Sequence, residues 1–327
     1  MIRLTPMTED EFPAWLDLRV TLDAQYKAES EGYGPKQAEE SVREEYGELL
    51  PEGVATPNQH LYHIEDQETG CQVGAIWFEI NQHIHRAFVM DFLIYQPFRR
   101  RGYGTQALRA LEDLVRGRGL SAIGLHVLGD NTPARRLYEK MGYVQTNLYA
   151  AHSFDGRSPL AEQALPDAGR AVELLPMQDE EFQAYHDSLV ERLAREQIRA
   201  GHWGPGYAVQ LARQEYAGRL PKGHQDPDFF FTVADPALSA PVGALWITQR
   251  EFRGPIPRAI VQELRIYPLR GHKAYQIAAI RALEDHAYKM ELAGVVFHLF
   301  PNEPLARLVI DDLGYHVTNV FMTKVLG

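Results

Sequence analysis

Phe88-Val89-Met90-Asp91-Phe92-Leu93-Ile94-Tyr95-Gln96-Pro97-Phe98-Arg99-Arg100-Arg101-Gly102-Tyr103-Gly104 is the stretch from which the rest of the chain is read. A bulky apolar run stops at Pro97, passes three arginines and ends in Gly-Tyr-Gly. Ala107, Leu108, Leu111, Leu114 and Val115 then recur at helical spacing. The sequence therefore predicts a strand, a cationic turn and a helix N-terminus. Glycines in such a turn let backbone amides face outward, and a phosphorylated ligand is what those amides bind.

Before this stretch, Ile2–Met7 reads as a strand, and a helix from Glu9 carries Phe12, Trp15, Leu16 and Val20 on one face. Gly32–Pro35 breaks that pattern, a polar helix follows from about Gln37 to Leu50, and strands are predicted near Leu61–Ile64 and over Val73–Ile80. Beyond it come a strand over Ala122–Leu128, a short helix with Thr132 as cap and Pro133 at its first position, and two short strands from Tyr143 to Phe154. The order is β-α-α-β-β-β-α-β-α-β-β.

The pattern then repeats. Leu4-Thr5-Pro6-Met7 returns as Leu174-Leu175-Pro176-Met177, Val73-Gly74-Ala75-Ile76-Trp77 as Val242-Gly243-Ala244-Leu245-Trp246, and Gly142-Tyr143 as Gly314-Tyr315. The offset stays between 169 and 172 residues. Two copies of one domain are fused head to tail. Residues 1–154 form the first, 155–170 (rich in Ser, Pro, Gly and Asp) a linker, and 171–327 the second.

Length agrees, since 327 residues exceed what one core usually supports. A formal net charge of −11 argues against nucleic acid and anionic membrane as partners. It suits a cationic substrate and equally an ordinary acidic protein. Cys71 is the only cysteine, so no intramolecular disulfide forms, and no apolar run approaches the ~20 residues of a membrane span. The expected location is cytoplasmic. His83 and His85 lack acidic or cysteine companions, and no metal site is expected.

Arg99-Arg100-Arg101-Gly102-Tyr103-Gly104 resembles the Gln/Arg-x-x-Gly-x-Gly/Ala signature of the GNAT superfamily of N-acetyltransferases. Asn131-Thr132-Pro133-Ala134-Arg135-Arg136-Leu137-Tyr138-Glu139-Lys140-Met141-Gly142-Tyr143 resembles the Asn-x-x-Ala-x-x-x-Tyr-x-x-x-Gly-Phe/Tyr stretch of the same superfamily. The resemblance implies an α/β (α+β) protein of two tandem GNAT folds, each a mixed, mostly antiparallel sheet flanked by helices. It also implies acetyl-CoA as co-substrate and a primary amine, of a small molecule or peptide, as acceptor. The two copies would form a pseudo-dimer within one chain.

Site residues follow from the same resemblance. Amides from Arg101 through Thr105, including Gly102, Tyr103 and Gly104, would hold the pyrophosphate, with Arg99, Arg100 and Arg101 gripping phosphates. The pantetheine arm would lie along Leu93-Ile94-Tyr95 as an added strand, on backbone groups of Leu93 and Tyr95. Asn131, with Ala134 in the same motif, would add a hydrogen bond. Tyr138 is the candidate acid for the departing thiolate, or else a packing aromatic. Asp91 is the candidate base, or else a cap on a neighbouring loop. Eight acids against three cations between Asp23 and Leu50 form either an acidic acceptor rim, with Tyr26, Glu29 and Tyr33, or a solvated helix face.

In the second copy the motif positions become Gly271-His272-Lys273-Ala274-Tyr275-Gln276, Asn131 becomes Glu303, and Tyr138 becomes Ile310. Only Asp91, as Glu263, keeps its character. That copy reads as a retained fold without the chemistry. Two rivals remain for the whole chain. Gly102-Tyr103-Gly104-Thr105-Gln106-Ala107 matches a dinucleotide fingerprint, but Gln96–Arg101 interrupt the tight turn and Asp130 is the only candidate ribose acid. A non-enzymatic acyl-CoA sensor is the other.

Overall fold

The computed structural model describes residues 1–82, 84–154, 170–199, 204–221, 223, 225, 227–268 and 270–326. His83 and positions 155–169 of the expected linker lie outside the described residues. The chain forms two compact units: Met1–Ala150 with Arg253–Pro255 and Leu299–Gly327, and Ala151–Phe252 with Ile256–His298.

In the first repeat the elements are β1 (Ile2–Pro6), α1 (Phe12–Ser30), α2 (Pro35–Leu49), β2 (Gln59–Asp66), β3 (Cys71–Asn81), β4 (Arg86–Ile94), α3 (Tyr103–Gly117), β5 (Ala122–Leu128), α4 (Thr132–Lys140) and β6 (Val144–Ser153). The second repeat has the same order: β7 (Glu173–Pro176), α5 (Asp179–Arg199), α6 (Ala208–Arg219), β8 (Asp228–Asp235), β9 (Ala240–Arg250), β10 (Arg258–Ile266), α7 (His272–Lys289), β11 (Gly294–Leu299), α8 (Pro304–Arg307) and β12 (His316–Val325). The two short strands expected over Tyr143–Phe154 are one, because no Gly or Pro interrupts Val144–Ser153.

In the first unit the strands run β1-β2-β3-β4-β5-β12, with only β4 and β5 parallel among the pairs from β1 to β12. β12, the last strand of the second repeat, pairs with β5 over Asn319↔Leu128 to Val325↔Ala122. The compact units thus depart from sequence order at the C-terminus, where a strand of the second repeat completes the first unit. In the second unit the order is β11-β10-β9-β8-β7, with β10 and β11 parallel.

α1 and α2 pack on one face of the first sheet through Trp15, Tyr46 and Trp77. Trp15 meets Trp77 edge-on at 6.1 Å and Tyr46 at 5.9 Å. α2 buries Ala38, Val42 and Tyr46, four residues apart, which is why its polar sequence still seats one face. At the start of α1, Thr8 donates both its amide (2.9 Å) and its hydroxyl (2.7 Å) to Glu11, and these bonds hold the Glu11 carboxyl down to about 2.

β12 is tied down by charge as well as by its ladder. Lys324 Nζ donates to both oxygens of the buried Glu112 on α3, at 2.7 and 2.8 Å, and Arg86 on β4 donates to Thr323 Oγ1 at 3.2 Å. Removing one partner of a buried pair leaves an uncompensated charge, which costs about 3–5 kcal/mol. Arg116, 3.6 Å from Glu112, softens the loss. Lys324→Ala is therefore expected to destabilise the first unit by about 3 kcal/mol, read as a lowered midpoint in urea. An unchanged midpoint would show the pair to be inconsequential.

Candidate active site

The site is built on the one parallel pair of the first unit. β4 and β5 pair only from Arg86↔Ala122 to Val89↔Leu125. On its other side β4 pairs with β3 as Phe78↔Val89 and then Trp77↔Asp91, so Met90 is an extra residue, a β-bulge. β4 continues to Ile94 and β5 to Leu128 without each other. The two strands separate beyond Val89, and between them opens a cleft of about 1180 Å³.

Backbone parity decides which groups face the opening. Tyr95 N–H donates to Val73 O at 2.9 Å. In an antiparallel pair, bonded and non-bonded residues alternate, so Leu93 and Asp91 also direct their backbone groups to β3. The backbone of Phe92 and Ile94 faces the cleft instead. This corrects the expectation that Leu93 and Tyr95 offer the backbone edge; a sequence carries no register, and the error is one residue. Arg99 Nε donates to Ile94 O at 2.8 Å, across the end of that edge.

The turn that follows is as unusual as its sequence suggested. Gly102 is left-handed (φ 85°) and caps α3, and Arg100 is also at positive φ (63°). The first intrahelical bond runs from Gln106 N to Gly102 O at 3.2 Å, which leaves the amides of Tyr103, Gly104 and Thr105 without helical partners. Gly104 matters for packing: a Cβ there would lie 3.1 Å from Leu137 Cδ2 of α4. Arg99, Arg100, Tyr103 and Thr105 line the cleft, Tyr103 also donating to Asp66 Oδ2 at 2.8 Å, whereas Arg101 lies over the Phe98 ring. Asn131, rather than Thr132, caps α4, its Oδ1 accepting from Ala134 N at 3.2 Å. Asn131, Ala134 and Tyr138 all line the same cleft.

Asp91 and Tyr138 come together here. Burial pushes the Tyr138 phenol well above its ordinary value, and the Asp91 charge pushes it further. Burial also lifts Asp91, to about 6, against the attraction of Arg19 and with a contribution from Asp23; the Phe92 amide pulls it back. Arg19 Nη2 lies 3.3 Å from Asp91 Oδ1 and 2.8 Å from Asp23 Oδ1, and Tyr46 donates to Asp23 Oδ2 at 2.8 Å. Asp91 Oδ2 is buried and has no hydrogen-bond partner among the described residues.

Sequence reasoning missed Arg19 and Tyr46, although Arg19 and Asp23 stand four apart on one helix. It also missed His126, which lines the cleft from β5 and is held low by burial. Of the three acceptor candidates only Tyr26 lines the cleft. Glu29 is engaged with Gln25 on the surface, and Tyr33 lies under Lys27.

The second unit repeats the scaffold. Its bulge falls at Gln262, and Glu263 stands where Asp91 does. There, however, Tyr185 and Arg192 take one carboxylate oxygen each. A left-handed glycine survives as Gly271, three residues ahead of the expected register. Tyr275, bonded to Asp235 as Tyr103 is to Asp66, is the fourth residue of α7 rather than the first. The Tyr275 amide is spent on Gly271 O at 3.1 Å, so this earlier helix start takes up in a helical bond an amide whose counterpart, that of Tyr103, has no helical partner in the first unit. α8 is four residues long and passes into a π-helical turn over Leu308–Asp312, which carries Ile310.

The family model described as Acetyltransferase (GNAT) family matches residues 20–143. YycN, an uncharacterized N-acetyltransferase of Bacillus subtilis (strain 168), is 35% identical over 149 residues, 45% of this chain and 95% of that one. The chain belongs to the GNAT acetyltransferase family. YdgE, another uncharacterized N-acetyltransferase of Bacillus subtilis (strain 168), is 32% identical over 148 residues, 44% of this chain and 93% of its own. A GCN5-related N-acetyltransferase from Sphaerobacter thermophilus has the same fold across 99% of this chain and 96% of its own, with a TM-score of 0.55 and 15% identity. Both halves of this GNAT protein carry the family's mixed, mostly antiparallel sheet. Among the described residues no helix is long and apolar enough to cross a membrane.

Gly102→Ala puts a Cβ on a left-handed residue, which costs about 1–2 kcal/mol, while the space around it stays open. If these amides hold a phosphate, the variant binds coenzyme A about tenfold more weakly and stays folded. Unchanged affinity in calorimetry would remove the turn from the binding site.

Proposed function

We propose that the first unit transfers an acetyl group from acetyl-CoA to a primary amine, with Asp91 as base and Tyr138 as acid. The observation that carries this reading is the cleft at the β4–β5 separation. It brings an open backbone edge, a turn of unpaired amides, a buried carboxylate with one vacant oxygen and a buried phenol to one place.

Acetyl-CoA fits that set and supplies the acetyl group as a thioester. The amides of Tyr103, Gly104 and Thr105 and the side chains of Arg99 and Arg100 would hold its phosphates, with the NH₂ of Asn131 as a further donor. The backbone of Phe92 and Ile94 would take its arm as an added strand, and an N–H on that edge would face the thioester oxygen.

An alkylammonium, of ordinary pKa about 10.4, must lose a proton before it can attack. Asp91 takes that proton at Oδ2. The nitrogen then bonds the thioester carbon as the C–S bond breaks, and Tyr138 gives its proton to the departing sulfur. The nitrogen loses its second proton in forming the amide, Tyr138 is reprotonated, and the net release is one proton. A phenol raised by burial is protonated at neutral pH, which suits an acid.

Thiol release from acetyl-CoA with an amine library tests the reading. Tyr138→Phe is expected to lower kcat by about 10²-fold with coenzyme A affinity close to wild type; equal losses in both would make Tyr138 structural. Tight coenzyme A binding without turnover of any amine would instead favour an acyl-CoA sensor. The base must be ionised, so kcat/KM should fall as pH drops below about 6, and Asp91→Asn should abolish that limb along with most of the rate. A retained limb would assign it to another group. Calorimetry should find one coenzyme A per chain, since α7 begins too early to bind a second.

A further inference from the structure

Arg19 serves two acids with one nitrogen. Its Nη2 lies 2.8 Å from Asp23 Oδ1 and 3.3 Å from Asp91 Oδ1. The nearer acid stands four residues on along α1, and Tyr46 of α2 secures it. The Tyr46 hydroxyl donates to Asp23 Oδ2 at 2.8 Å and accepts from Arg19 Nε at 3.3 Å. Burial pushes that phenol well above its ordinary value, so it remains a donor at neutral pH. All four side chains line the cleft. Two carboxylates thus draw on one guanidinium, and Asp91 has the longer contact.

An ion pair four residues apart on a helix is usually a minor stabiliser. The second repeat shows what this one adds. There Arg192 of α5 meets Glu263 through Nη1, while the acid four residues on, Glu196, lies 4.0 Å from Nε and draws on a different nitrogen. Leu193 stands where the 170-residue offset places the counterpart of Asp23. Glu263, whose arginine gives it a nitrogen of its own, has both oxygens engaged. Asp91, whose arginine is divided, keeps Oδ2 without a hydrogen-bond partner among the described residues.

On the reading that Asp91 is the base for amine acetylation, we infer that Asp23 is a positioning residue: it divides Arg19 between two acids and so keeps Asp91 able to take a proton, with Tyr46 holding Asp23 to that task. A second negative charge beside the guanidinium offsets part of its pull on the first. The remaining titratable groups around Asp91 are Tyr95, just after β4, Tyr138 of α4, and His126 on β5. Burial raises both phenols and lowers the histidine, so all three are neutral at pH 7 and none replaces the charge of Asp23.

Two measurements on the full chain test this together: the pH profile of thiol release, and a carboxyl NMR titration in which Asp91→Asn identifies the Asp91 signal. Asp23→Asn keeps the shape and removes the charge. It should move the Asp91 midpoint and the acidic limb of kcat/KM down together, by about one pH unit. A raised KM for the amine with midpoint and limb unmoved would make Asp23 a substrate anchor and overturn the inference. A lowered Tm with an unmoved midpoint would make the pair purely structural and overturn it equally. Should Asp23→Asn fail to fold, Arg19→Gln carries the test: it removes the charge being divided, and the Asp91 midpoint should rise by about one pH unit. A midpoint that stays in place there would show that Arg19 has no hold on this proton. The titration needs no turnover, so a midpoint that moves as expected while no amine is acetylated sustains the role of Asp23 and overturns only the acetylation reading.

Discussion

The separation of β4 from β5 is the constraint on which the first unit depends. Parallel pairing that ends at Val89↔Leu125 leaves later backbone groups of β4 without a strand to bond. Within a sheet such an edge costs free energy unless something fills it. The bulge at Met90 makes the separation possible and sets which side chains face α1 and α2. Asp91 is thereby sunk beside Arg19, while Phe92 and Ile94 turn their backbone to the opening. Strand geometry and site chemistry are one arrangement.

The two repeats show how small a change alters the setting of the acid. Each has the bulge, the acid beyond it and an arginine from its first helix. In the second, Glu263 reaches both Tyr185 and Arg192, and its oxygens are satisfied. In the first, the shorter Asp91 keeps one oxygen vacant in a buried setting, which lifts its affinity for a proton. A satisfied carboxylate stabilises its surroundings; a partly satisfied one can exchange a proton. The extra turn at the start of α7 works the same way, converting outward amides into helical bonds.

The second repeat is not idle in the structure. Its last strand closes the β5 edge, held by Lys324 on Glu112, and its Arg253 reaches Glu31. The second unit has a matching device, His152 of β6 lying 2.9 Å from the buried Glu284 of α7. Each repeat thus sends its final strand toward a buried glutamate on the long helix of the other repeat. That exchange gives both copies a structural role.

Much of this was written in local pattern. Helical spacing marked α1 to α3, the glycines of Gly102-Tyr103-Gly104 marked the turn, and an offset of 169 to 172 residues marked the repeat. These are properties of neighbours along the chain, and steric and periodic rules act at that range. What the sequence could not hold was pairing. The one-residue parity that turns Phe92 and Ile94 rather than Leu93 and Tyr95 to the cleft depends on register with β3. The neutralisation of Glu31 depends on a residue 222 positions away, and that of Glu112 on one 212 away. By itself the sequence determined the family, the repeat and the glycine turn at the head of α3. Only the tertiary structure decided which acids are paired and which oxygen is left vacant, because charge compensation is set by distance in space.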